Sequence, residues 1–175
     1  MQTKLTMEEL INKVEVLKSS GTLDLSMEED LSIAVMNLIS IEEHFYFTAQ
    51  KTGKDEYFDL LGQTREIRKS LLAKMIDTHE GESWCIAKHL LASTMRMMEV
   101  GTKLHSSGKK EEAKQMFKSA YGAYTLFWAL RLKLLSVKEV GEQEKLIGGD
   151  GADGSKNASM TTKDLIAKLV DCCKE

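Results

Sequence analysis

Glu42 projects from the middle of an apolar helix face. At about 100° per residue, Leu31, Val35, Leu38, Phe45, Tyr46 and Ala49 of segment 27–51 share one side, and Glu42 lies at its centre. One helix later Arg68 stands in the same kind of place, among Tyr57, Leu61, Thr64, Leu71, Leu72 and Met75. A lone charge inside a core is costly, so each of these residues demands a partner. If the two segments pack antiparallel, Glu42 falls about one turn from the level of Arg68, within reach of its long side chain. The spacing predicts a core ion pair that fixes register. The alternative is that Glu42 lines a ligand or metal cavity in the bundle interior.

The rest of the chain keeps the same helical period. It contains no proline, and an interior proline costs a helix about 3 kcal/mol. Thr6 with Glu9, and Ser26 with Glu29, spell capping boxes, while Gly21, Gly53 and Gly108 are stop signals. These marks predict a short helix over 6–19 and long helices over 26–51, 55–77, 82–106 and 110–137. Short loops between long helices make antiparallel neighbours. The expected fold is therefore all-α, an up-down-up-down four-helix bundle over about 26–137 behind a short N-terminal helix.

Residues 138–160, which include Gly148-Gly149-Asp150-Gly151, read as a flexible linker whose aspartates lack calcium-loop spacing. It tethers an amphipathic helix over 161–175, opened by Thr161 and Asp164, with Leu165, Ile166, Leu169 and Val170 on one stripe. So short a helix does not hold alone in water. The stripe is expected to dock on its own bundle, a sister subunit or a partner.

Several classes of function are disfavoured. Net charge is −3 with both signs interleaved, so no basic surface for nucleic acid is expected. No run approaches the ~20 apolar residues of a membrane helix. The first six residues lack the apolar core of a signal peptide. Three cysteines, two of them the adjacent Cys172 and Cys173, make no disulfide framework, which fits a reducing cytoplasm. No nucleophile elbow, glycine-rich phosphate loop or paired carboxylates are present, so no catalytic residue and no cofactor is expected.

Other residues have chemistry of their own to place. Arg131 sits on an apolar face with Ala113, Ala120, Phe127, Leu134 and Leu135, and Asp30, Asp77 or Glu82 is its expected partner unless it snorkels to the rim. Glu82, Cys85 and His89 lie on successive turns and could ligate a metal, though the wheel sets Cys85 and His89 on the polar side with Lys88, Arg96 and Glu99. The Glu-x-x-His signature of ferritin-like bundles is missing, because Ile41 and Ile86 stand three places before His44 and His89. Met95, Met97 and Met98 read as core filling, and Trp84 and Trp128 as a packed pair.

Residues 97–125 resemble a tetratricopeptide hairpin. Val100-Gly101 match its Leu-Gly position, Leu104 its large apolar, Gly108 its turn, and Ala113, Phe117 and Ala120 its second helix. Thr125 stands near its closing proline, and no second copy lies one repeat away. The resemblance implies a tight αα-hairpin with close approach at Gly101.

Helix 82–106 is apolar over more than half its circumference, more than a plain bundle needs. Extra cover from another segment or subunit is expected. The first functional expectation is a non-enzymatic cytosolic bundle that binds protein or itself, as a homodimer, with the Leu165–Val170 stripe as docking peptide. The second is a small-ligand or metal-binding bundle using Glu42, Arg68, Cys85 and His89.

Overall fold

The computed structural model describes residues 25–76 and 81–136, together with Asn12 and Val16. Among the described residues all regular structure is helical. The helices are α1 (Ser26–Thr52), α2 (Glu56–Leu72), α3 (Glu82–Ser106) and α4 (Lys110–Arg131). Asn12 and Val16 are helical too. The rest of segment 6–19, the linker 138–160 and the helix expected over 161–175 lie outside the described residues.

Helix ends follow the local chemistry. Gly53 closes α1 in the left-handed region at φ 67°, its N–H donating to Ala49 O. Ser26, expected as a cap, is instead the first helical residue, and Leu25 holds the capping position, itself buried. After α3 the chain reverses through Gly108 at φ 80°. There the N–H of Gly108 donates to His105 O at 3.0 Å and that of Lys109 to Leu104 O at 3.0 Å, a Schellman motif.

Two helices stop before their expected ends. α2, expected to run to 77, ends at Leu72. The next turn tightens, with the N–H groups of Lys74 and Met75 donating three residues back to Leu71 and Leu72. That tightening brings Met75 and Ile76 together into the core. α4, expected to run to 137, ends at Arg131. Lys133 takes φ 54°, the N–H of Leu134 donates to Ala129 O at 2.9 Å, and that of Lys133 to Leu130 O at 3.0 Å. This is a second Schellman motif, built without glycine, and it turns Leu134 and Leu135 inward.

Side-chain bridges give the directions of the helices. Glu28 accepts from Arg131 Nη2 at 2.7 Å, and Ser32 Oγ is bonded to Tyr124 Oη at 2.8 Å. The start of α1 therefore lies beside the end of α4, and the two run in opposite directions. Glu43 of α1 is paired with Arg96 of α3. α1 packs closely on α2, α3 on α4, and α1 also meets α3.

The core gathers at one end, where α1 and α3 begin and α2 and α4 finish. Val35, Met36, Leu72, Ala87, Leu91, Leu126, Phe127 and Trp128 fill it, each at most 2% exposed. From Thr125 to Leu130, α4 is buried on every side.

Candidate functional site

Each helix carries its core stripe past the point where the core ends. On α1 the stripe runs Val35, Ile39, Tyr46; on α2 it runs Leu71, Ile67, Leu60. On α3 it runs Leu91, Met98; on α4, Trp128, Tyr124, Tyr121, Phe117. The first members are buried in the core or packed against it. The last members, Tyr46, Leu60, Ile67, Met98, Phe117 and Tyr121, are between 39% and 53% exposed. Toward the end that bears Gly53 and Gly108 the fully buried positions are small ones, Ala49, Gly101, Ala113 and Ala120, and these six large apolar side chains are left about half exposed. The interior is densely filled at one end and more open at the other.

The Glu42–Arg68 pair joins α1 to α2 near the middle of α1. Arg68 Nε donates to Glu42 Oε1 and its Nη2 lies 3.4 Å from Oε2. The Arg68 side chain is 3% exposed and that of Glu42 is 16%. Leu72, one turn from Arg68, is fully buried, while Thr64, one turn the other way, is half-buried. The two-point geometry of the pair sets the register of α1 on α2.

One wall of the opening is tight. Gly101 of α3 lies against the Phe117 ring of α4, where an added β-carbon would come within 2.5 Å of Cε1 and 2.7 Å of Cδ1. Met98 is one turn from Gly101 on α3, and Tyr121 is one turn from Phe117 on α4; all three of Met98, Phe117 and Tyr121 are about 40–45% exposed.

Between α1 and α3 lies a groove of about 390 Å³, lined by Ser40, His44, Phe47, Lys51, Met95 and Glu99 among others. The Glu43–Arg96 pair spans it, with both side chains about half exposed. The groove mixes charges of both signs with Phe47 and converges on no buried polar group.

Arg131 is partnered by Glu28 rather than by Asp30 or Glu82, and Asp77 lies outside the described residues. Glu28 and Asp30 differ by about 200° around α1, and only the former faces α4. Glu82, Cys85 and His89 all lie exposed on α3. Among the described residues no group of three or more His, Cys, Asp or Glu is placed to hold a metal ion. Trp128 makes its ring contacts with Tyr124 and Phe127, at 6.1 and 5.3 Å, while Trp84 packs half-buried against the core. The stripe Leu165, Ile166, Leu169 and Val170 lies outside the described residues. No helix among the described residues is long and apolar enough to cross a membrane.

The open end itself is not readable from sequence. Tyr46, Met98 and Phe117 carry the period of core residues, and periodicity reports which side a residue faces, not whether anything covers it. The excess apolar arc of α3 is the one available signal, and it points to Met98. Comparison with protein-family models, with curated proteins and with solved structures finds no match.

Proposed function

We propose that this chain is a non-enzymatic up-down-up-down four-helix bundle, over about 26–137, that mediates protein–protein interaction or self-association through its open apolar end. The observation that carries this reading is that Tyr46, Leu60, Ile67, Met98, Phe117 and Tyr121 are all left about half exposed toward the same end. Large apolar side chains gathered on one part of a surface are a mark of interaction sites. Three of the six residues are aromatic, the type that anchors interfaces with little entropy loss. Covering the exposed half of each side chain is worth about 1 kcal/mol, so the six together offer about 6 kcal/mol before the cost of association. That suits a helical segment laid across the opening by its apolar face. A single tetratricopeptide-like hairpin over 97–125, with Gly101 and Phe117 at its crossing, is the wall that such a segment would meet.

The test compares Met98→Glu and Phe117→Glu with Gln63→Glu, an equal charge change at an exposed site on α2. Mass by light scattering and capture of partner are read for each. Both open-end variants should lose self-association or partner by about tenfold or more while the control keeps them. Unchanged mass and capture in all three would remove the open end from the function.

A further inference from the structure

We propose that the protein bound at this end is a second copy of the chain, with the acidic stripe of α2 in each copy laid on the basic stripe of α4 in the other. This deepens the interaction reading above and rests on it.

The two stripes are built alike and charged oppositely. On α2, Glu56, Asp59, Leu60, Gln63, Glu66 and Ile67 lie within about 120° of one another, on the side away from Arg68. On α4, Lys110, Lys114, Phe117, Lys118 and Tyr121 lie within about 100°. All of these residues are exposed. Leu60 to Ile67 and Lys114 to Tyr121 each cover two helical turns, about 10 Å. Each stripe therefore offers two large apolar side chains among charges of one sign.

Within one copy the stripes are not spent on each other. α2 packs on α1 and α4 on α3. Among the described residues Asp59, Lys114 and Lys118 make no ion pair. Lys110, Lys114 and Lys118 follow one another at four-residue spacing, where like charges on a helix repel. An acidic surface laid against them removes that repulsion.

The same asymmetry holds over the whole hairpins. Residues 26–72 carry nine acidic and five basic side chains, a net charge of −4. Residues 82–131 carry eight basic and four acidic side chains, a net charge of +4. Equal and opposite halves make the chain its own electrostatic complement, provided that unlike halves meet; like halves repel. Two reciprocal contacts of α2 on α4 close as a dimer, whereas a single contact leaves one stripe of each kind open for further copies.

The experiment measures the mass of the full chain by light scattering over a wide range of protein concentration and of salt. The native chain should form a dimer that weakens as salt rises. Lys114→Glu/Lys118→Glu and Asp59→Lys/Glu66→Lys should each weaken it by about tenfold or more. Mixing the two variants in equal amounts should restore dimers, because the reversed stripe of one then meets the reversed stripe of the other. Gln63→Glu, which adds acid to the acidic stripe, should leave the dimer in place. If circular dichroism shows either reversed chain unfolded, the neutral variants Lys114→Gln/Lys118→Gln and Asp59→Asn/Glu66→Gln take their place, and each should weaken the dimer to a smaller extent. A native chain that stays monomeric throughout, variants that dimerise like the native chain, or a mixture of folded reversed variants that stays monomeric would each overturn the second copy. In the first of these cases, a partner lost from Met98→Glu and Phe117→Glu but kept by the native chain would leave the interaction reading standing.

Discussion

Gly101 and Phe117 are fitted so closely that no other residue at position 101 leaves the ring where it is. A β-carbon there would lie 2.5 Å from Phe117 Cε1 and 3.1 Å from Cζ. Two effects oppose each other. Alanine in the middle of a helix is favoured over glycine by about 1 kcal/mol. Displacing a packed ring costs about 1–3 kcal/mol. Gly101→Ala should therefore lower stability by up to about 2 kcal/mol in the native sequence. With Phe117→Ala present, the same change should stabilise by up to about 1 kcal/mol. Urea denaturation of the four chains of this cycle checks the change of sign.

The buried pair makes a second prediction. Glu42→Ala strands the Arg68 guanidinium, which is 3% exposed, and should cost about 3–5 kcal/mol. Replacing both residues, as Glu42→Leu/Arg68→Met, should recover most of the loss. The same denaturation experiment decides it. A double variant no more stable than the single would show that the pair does more than neutralise itself.

Lys133 offers a gain. It holds φ 54° at the end of α4, a conformation that costs an ordinary L-residue about 1 kcal/mol or more. Lys133→Gly should raise stability by about 0.5–1 kcal/mol, read as a shift in thermal midpoint.

Closed and open ends should answer differently to truncation. Leu72 is fully buried, and Leu72→Ala should cost about 2–5 kcal/mol. Ile67, five residues away on the same helix and 53% exposed, should cost about 1 kcal/mol or less as Ile67→Ala. Similar losses at the two sites would mean that Ile67 is covered in solution.

How far the sequence leads can be judged at matched pairs of positions. Gly108 and Lys133 end helices by the same hydrogen-bond pattern. Only the first is visible in advance, because glycine is chosen for positive φ and lysine is not. Glu42 and Arg68 stand out because a charge breaks an apolar period. Glu28 does not, because it lies among Glu29 and Asp30, and its role depends on which way α4 faces. The four long helices are legible from caps and period. The point at which their shared interior stops being covered is not, since it depends on how neighbouring helices lie against one another over a distance no local pattern records.

That boundary has a consequence for how the molecule comes apart. Up to Glu42, α1 belongs to a densely packed block; beyond it, toward Gly53, the same helix has only Ala49 fully enclosed. One continuous rod thus spans two cooperative units of unequal resistance. Amide hydrogens from Phe45 to Thr52 should exchange through partial fraying, whereas those near Val35 should wait for global denaturation, so reshaping of the Gly53 end is borne locally and the packed block is left intact.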